Sequence, residues 1–321
     1  MFIPQKLIVM NRQTIEEFFS RKRKCIINTD LDGLLSGMIL HHFLDWEIVG
    51  YSSCCGKPDD ELWFVKPNVN IKECVFVDLP VCGHDYGVID QHFVSYDMSF
   101  VDDYMKDNNK LNPNVLRKRV FKSNKGKCEY TSKYPFGTVH FILALLEWLG
   151  IIDKTYTINL NKKFGKFDVA DLLLRADRVI GNTNQYTDNC YDWIEWIKKI
   201  GGEKTHSLFE IAKNYHKARA ITEKAVEDML LSLGCNGKDG DCSNLFRIKD
   251  FAKINHYFSF LSNAIDLPAL SSIQQIFNFG NLIGTKEDIN ENSMMFLKNP
   301  DIFSYAFINM KNVSLTKVKL K

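Results

Sequence analysis

Short apolar segments recur in the first ninety residues, and each ends in, or is followed by, a polar or acidic side chain. The segments cover residues 25–28, 47–51, 74–78 and 86–89. Runs this short and this apolar are typical of strands that are buried on both faces of a parallel sheet. Between the first two, residues 34–44 carry apolar side chains at helical spacing, which predicts a right-handed βαβ unit with parallel strands.

The rest of the chain alternates helical patterns with turn-rich segments. Residues 57–70, which contain Pro58 and Pro67, are predicted to be a loop, and residues 138–149 a buried helix that ends at Gly150. Two runs near the C-terminus, 302–310 and 313–320, are predicted to pair as a hairpin. Further helices are predicted at 167–180, 190–200 and 208–233, with a glycine-rich linker at 234–243.

These patterns predict an α/β protein in three parts. Residues 1–200 would form a parallel-sheet domain with helices on both faces, and residues 201–233 a long connector helix. Residues 234–321 would form a smaller α+β domain that binds substrate or a partner. A length of 321 residues suits two domains joined in this way.

Composition narrows the class of protein. Hydrophobic residues make up 45% of the chain, including 23 phenylalanines, which is enough to fill a core and excludes a disordered chain. Because the net charge is only +2, any surface that binds nucleic acid must be local. The nine cysteines form no CxxC pair, which predicts reduced thiols and a cytoplasmic protein. No apolar run reaches the roughly 18 residues of a membrane span, so no membrane partner is expected.

Acidic residues stand directly after three of the four predicted strands. Asp30 and Asp32 follow the first, Asp78 ends the third, and Asp90 and His92 follow the fourth. Because parallel strands end at one edge of a sheet, these side chains are expected to converge there. Oxygen-rich sites favour Mn²⁺ or Mg²⁺, and two such ions about 3.5–4 Å apart would activate a water for attack on phosphorus. The pattern therefore predicts a metal-dependent phosphoesterase.

A basic segment follows these acidic residues. Residues 110–134 contain one acid, Glu129, and the aromatic residues Phe121, Tyr130 and Tyr134 lie among the basic side chains. One interpretation is a solvated loop; the other is a surface that binds phosphates and stacks unpaired bases. The candidate substrate-binding residues are Arg117, Lys118, Arg119, Lys122, Lys125 and Lys127.

Four short motifs together resemble the DHH phosphoesterases. The run NTDLDGLLSG at residues 28–37 is similar to the first motif of that family, and Asp78 matches the second. Asp90, Gln91 and His92 stand where the family has its Asp-His-His triplet. Asp177 matches the aspartate of the fourth motif, with Asp171 as the alternative. The resemblance covers about residues 20–200.

The resemblance implies a fold, a set of substrates and a role for each site residue. The family comprises RecJ-type single-strand exonucleases, nano-RNases, cyclic-dinucleotide phosphodiesterases and manganese pyrophosphatases. By resemblance, Asp30 and Asp32 would each hold one ion and Asp78 would bridge both. Asp177 would complete the shell of the second ion, His92 would contact the substrate phosphate, and Asp90 would orient the triplet.

Two positions depart from the family pattern. Asn28 and Gln91 stand where many members have histidine, and their side chains offer an amide oxygen in place of a ring nitrogen. As ligands they would favour Mn²⁺ or Mg²⁺. The resemblance implies hydrolysis of single-stranded nucleic acid or short oligonucleotides. The alternative is a catalytically weakened protein of this fold that binds nucleotide or nucleic acid as a sensor or as a subunit of a complex.

A third interpretation comes from the DxDG turn alone. Phosphatases of the haloacid-dehalogenase type also begin with such a turn, and Asp30 would then be the nucleophile and Asp32 the general acid and base. That family has threonine after the glycine, where this chain has Leu34, and it assigns no role to residues 90–92.

Overall fold

The chain forms two compact units in a computed structural model, and the units are not continuous in sequence. The first comprises Met1–Asn28, Trp46–Tyr134 and Phe277–Lys321, and the second Thr29–Asp45 and Pro135–Ile276. The structure describes residues 12–20, 22–52, 60–83, 85–105, 109–122, 130–152, 187–201, 254–265, 267–268, 270–289, 299, 301–307 and 309–320.

Among the described residues, the first unit contains one mixed sheet of nine strands. The strands are β1 (Lys24–Asn28), β2 (Glu47–Ser52), β3 (Asp60–Phe64), β4 (Cys74–Val77), β5 (Gly87–Ile89), β6 (Lys110–Leu111), β7 (Phe277–Asp288), β8 (Ser304–Phe307) and β9 (Asn312–Leu320). Their order is β6-β5-β4-β1-β2-β3-β7-β9-β8. The neighbouring pairs β6–β5, β5–β4, β4–β1 and β1–β2 are parallel. The pairs β2–β3, β3–β7, β7–β9 and β9–β8 are antiparallel.

The four strands predicted from the apolar segments are confirmed as β1, β2, β4 and β5. Every residue of β4 and β5 is buried, as is every residue of β1 after Lys24. Burial on both faces explains why the sequence of these strands shows continuous apolar runs and no alternation. Helix α2 (Leu31–Leu44) connects β1 to β2 in sequence, and it begins three residues earlier than predicted because Asp30 caps it.

The predicted loop at residues 57–70 is wrong in part, because it contains strand β3. This strand pairs antiparallel with β2 and with β7. Pro58 and Pro67 stand on either side of the strand in sequence and do not interrupt it. The prediction missed β3 because its main partner, β7, lies more than 200 residues away.

The C-terminal hairpin is confirmed as β8 and β9, and it belongs to the same sheet as the first strands. β9 pairs with β7, and β7 pairs with β3, so the last strands extend the sheet of the first unit. The division predicted from the sequence, 1–200, 201–233 and 234–321, follows chain order, whereas these compact units do not.

Strand β8 also pairs with the segment that follows β4. Val81 forms an antiparallel bridge with Ser304. The Tyr305 N–H donates to the Pro80 carbonyl at 3.2 Å, and the Cys82 N–H donates to the Phe303 carbonyl at 2.9 Å. Backbone pairing therefore holds the chain directly after Asp78 against the C-terminal hairpin.

The helices divide between the two units. The first contains α1 (Arg12–Phe19), α3 (Met98–Met105) and α4 (Pro113–Leu116), and the second contains α2, α5 (Thr138–Trp148), α6 (Thr187–Gly201) and α7 (Ile254–Ile265). The buried helix predicted at 138–149 is confirmed as α5, and Gly150 follows it at φ 73°, where glycine carries no steric cost. The helix at 167–180, most of the connector helix and the linker at 234–243 lie outside the described residues.

The interior of the first unit contains an aromatic cluster and free thiols. Phe303 packs edge-on against Phe76 at 5.2 Å and against Tyr86 at 5.4 Å between ring centroids. Cys25 and Cys74 are buried free thiols, and burial raises the pKa of Cys74 to about 12. Among the described helices, none is long and apolar enough to cross a bilayer.

If β8 is an integral part of the sheet, Phe303→Ala should destabilise the protein strongly. The substitution removes a buried ring that packs against Phe76 and Tyr86, and we expect the free energy of unfolding to fall by about 3–5 kcal/mol in urea titrations. Met310→Ala is the control, since Met310 is 60% exposed and should change stability by less than about 0.5 kcal/mol. Equal effects of the two variants would contradict this packing.

Candidate metal centre

Asp78 occupies a constrained position at the carboxyl end of β4. Its N–H donates to the Ile89 carbonyl at 2.9 Å, which continues the pairing with β5. Its φ is 60°, a left-handed conformation that aspartate and asparagine tolerate better than most side chains. The residue has no solvent exposure, so its carboxylate depends on protein groups or a bound ion for stabilisation.

Asp90 and His92 lie beside Asp78, just beyond the end of β5. Asp90 is fully buried, and one carboxylate oxygen accepts the Phe93 N–H at 2.7 Å. Its other oxygen lies 2.9 Å from His92 Nδ1, and that nitrogen lies 3.3 Å from an oxygen of Asp78. The His92 side chain is 26% exposed, so this imidazole connects two buried carboxylates to the surface.

These three side chains could hold a metal ion. Each offers a ligand atom, and the three atoms lie within 4.8 Å of one another. Around an ion with bonds of about 2.1 Å, adjacent ligand atoms are about 3 Å apart, and the two distances from His92 Nδ1 bracket that value. A divalent cation between two buried carboxylates would offset their negative charge. The donor set therefore fits a cation.

Asn28 contacts the same centre through its amide nitrogen. Nδ2 donates to the second carboxylate oxygen of Asp78 at 3.1 Å. This contact leaves the other oxygen of Asp78 facing His92. Asn28 therefore contacts Asp78 as a hydrogen-bond donor, and its predicted role as a ligand through the amide oxygen stays a prediction.

Gln91 lies between Asp90 and His92 and is buried. Its backbone carbonyl accepts a hydrogen bond from Asn114 Nδ2 at 2.9 Å. Sequence reasoning missed Asn114 and its neighbour Asn112, which also binds this loop through Phe93. The signal was the Asn-Pro-Asn run at residues 112–114, because asparagine before proline often begins a short helix.

Asp30 and Asp32 belong to the second unit, where both contact the starts of helices. Asp30 caps α2 by accepting the Gly33 N–H at 3.0 Å. The two oxygens of Asp32 accept the N–H groups of Thr138 and Val139, at 2.7 and 2.9 Å, at the start of α5. The predicted metal-binding role of both residues stays a prediction.

Asp32 also explains the glycine at the start of α5. Gly137 provides no side-chain cap, and a Cβ at this position would lie 2.8 Å from an oxygen of Asp32. A carboxylate from another helix thus replaces the usual cap, and its charge is favourable at the positive end of the helix dipole.

The predicted substrate-binding residues are only partly described. Lys118 and Lys122 are exposed, and Arg117 and Arg119 are partly buried. The segment is fixed where it is described, because the N–H groups of Phe121 and Lys122 donate to the carbonyls of Ser95 and Tyr96. Lys125, Lys127, Asp171 and Asp177 lie outside the described residues.

If Asp32 stabilises α5, its removal should cost stability without any metal present. Asp32→Ala leaves two buried N–H groups without their acceptor, and we expect a loss of about 1–3 kcal/mol in urea unfolding with EDTA. The exposed Asp102 provides the control variant Asp102→Ala, which should change stability by less than about 0.5 kcal/mol. A residue that served only as a metal ligand would instead show no loss under these conditions.

Comparisons of the chain with protein-family models, curated proteins and solved structures gave no match. The resemblance to DHH phosphoesterases therefore rests on the short motifs in the sequence.

Proposed function

We propose that the protein is a divalent-metal-dependent phosphodiesterase that acts on single-stranded nucleic acid or short oligonucleotides. The observation that carries this proposal is the group of Asp78, Asp90 and His92, in which one imidazole nitrogen lies within 3.3 Å of two fully buried carboxylates. Buried carboxylates beside a partly exposed histidine are typical of functional sites.

Each residue of the group has a distinct task in this proposal. Asp78, Asp90 and Nδ1 of His92 would hold the ion, and Asn28 would keep the Asp78 carboxylate in the binding orientation. Mn²⁺ or Mg²⁺ in this site would supply Lewis-acid activation of water and of the phosphoryl group. The second ring nitrogen of His92 would donate a hydrogen bond to a phosphoryl oxygen, since the ring reaches the surface.

The substrate class follows from charge and from the resemblance. Lys118 and Lys122 are exposed, and they lie 26 and 30 positions after the candidate ligand His92 in the chain. Exposed basic side chains bind a phosphate backbone without regard to sequence. The first unit thus contains both a candidate ion site and a candidate phosphate-binding segment.

A binding protein without catalytic activity is the second candidate. Both oxygens of Asp32 already accept backbone N–H groups, and Gln91 replaces a histidine of the family motif. A site with fewer ligands would hold one ion, and the two-metal mechanism would not operate. In that case the protein would bind nucleotide or nucleic acid as a sensor or as a subunit of a complex.

Cleavage of labelled oligonucleotides tests the first candidate. The purified protein should cleave single-stranded DNA or RNA with Mn²⁺ or Mg²⁺ and should be inactive with EDTA. Asp78→Asn should lower the rate at least about 100-fold, because it weakens ion binding while asparagine tolerates the left-handed backbone.

Asp85→Asn serves as the matched control. Asp85 is an exposed residue that pairs with Lys72, and its substitution should leave the rate unchanged. Binding of Mn²⁺ and oligonucleotide without any cleavage would favour the second candidate.

Neutralising the exposed lysines should weaken the dependence of binding on salt. For Lys118→Gln combined with Lys122→Gln, we expect the slope of log K against log salt for a single-stranded oligonucleotide to fall by about 1.4, about 0.7 per lost phosphate contact. The control combines Lys66→Gln with Lys72→Gln, which are exposed lysines paired with Glu47 and Asp85. An unaltered slope would identify residues 118 and 122 as ordinary solvated lysines.

A further inference from the structure

Two buried asparagines hold the loop that carries the candidate ligands Asp90 and His92. This loop, residues 90–93, is here called the metal loop. Asn114 Nδ2 donates to the carbonyls of Gln91 and Phe93 at 2.9 and 3.1 Å, and Asn112 Nδ2 donates to the Phe93 carbonyl at 3.1 Å. The carbonyls on both sides of His92 are therefore fixed by side chains that come from outside the loop.

Both asparagines are themselves constrained, which makes them rigid anchors. Asn112 Oδ1 accepts the N–H groups of Asn114 and Val115 and so caps α4. Asn114 Oδ1 accepts the Tyr134 N–H at 2.7 Å. Asn112 is 1% exposed and Asn114 is fully buried, so these hydrogen bonds are shielded from bulk solvent.

The same residues attach a second segment, residues 117–122, here called the basic turn. The Asn114 carbonyl accepts the Arg119 N–H at 2.7 Å, and Val120 forms a parallel bridge with Ser95, two residues after the metal loop. The metal loop and the basic turn are thus joined through Asn114 and through neighbouring backbone pairing. A shift of one of them requires a shift of the other or the loss of buried hydrogen bonds.

We infer that Asn112 and Asn114 are positioning residues that set His92 for metal binding and couple the metal loop to the basic turn. The inference rests on the metal centre of the proposed function and does not require catalysis. Residues that orient ligands without touching the ion change its affinity by about 10–100-fold when they are replaced. Coupling between two binding sites is reciprocal. Bound Mn²⁺ should therefore raise the affinity of the basic turn for phosphates, and bound phosphates should raise the affinity of the metal loop for Mn²⁺ by the same factor.

The test measures binding of Mn²⁺ by calorimetry, alone and with a single-stranded oligonucleotide of nuclease-resistant phosphorothioates. Asn114→Leu has a similar shape and removes the bonds to the metal loop, and we expect its dissociation constant for Mn²⁺ to rise at least about 10-fold. The factor by which the oligonucleotide strengthens Mn²⁺ binding should fall towards one. An unchanged constant in folded Asn114→Leu would overturn the inference.

A milder variant keeps the inference testable if Asn114→Leu does not fold. Asn112→Ser retains an oxygen that caps α4 and removes only the bond to Phe93, and it should weaken Mn²⁺ binding about 3–10-fold. The control is Asn309→Ser, because Asn309 is exposed and its oxygen likewise accepts the backbone N–H groups of Lys311 and Asn312. Equal Mn²⁺ affinities of Asn112→Ser and Asn309→Ser would overturn the inference.

The outcomes for the inference and for the proposed function are separate. Wild-type protein that binds Mn²⁺ but cleaves nothing would refute the phosphodiesterase and leave the positioning role intact. Cleavage by wild-type protein, together with unchanged Mn²⁺ affinity in the asparagine variants, would refute the positioning role alone. Failure of wild-type protein to bind Mn²⁺ would refute both.

Discussion

Two carboxylates without solvent exposure share one imidazole nitrogen in the first unit, and much of the surrounding structure serves that arrangement. Burying an ionised carboxylate is costly unless charge or hydrogen bonds compensate it. Asn28 donates to one oxygen of Asp78, and the Phe93 N–H donates to one oxygen of Asp90. The remaining oxygens face the same nitrogen, which is the arrangement that a cation would complete.

The sheet determines where these groups meet. β4 and β5 are parallel neighbours, so the residues that follow them, Asp78 and Asp90, lie at the same carboxyl-terminal edge of the sheet. The antiparallel half of the sheet contributes in a different way, because β8 pairs with residues 80–82 and so fixes the chain that leaves Asp78. The C-terminal strands therefore support the chain segment that follows Asp78 at the candidate metal centre.

Acidic residues that follow a strand can serve two physical purposes, and this chain contains both. Asp78 and Asp90 form a group that could hold an ion. Asp30 and Asp32 contact the N–H groups at the starts of α2 and α5. The unpaired N–H groups of a helix start attract a carboxylate for the same electrostatic reason that a cation does. A spacing such as DxDG in a sequence is compatible with either.

Local pattern determined much of this protein. Continuous apolar runs identified β1, β2, β4 and β5, because a strand covered on both faces must be apolar throughout, and they placed Asp78, Asp90 and His92 at strand ends. Only the tertiary structure decided that β7 and β9 extend the same sheet, that Asp32 caps α5, and that Asn112 and Asn114 hold the metal loop. Each of these contacts involves a backbone group that is distant in the chain from its partner, and a backbone N–H or carbonyl leaves no trace in the side-chain pattern from which a partner could be inferred.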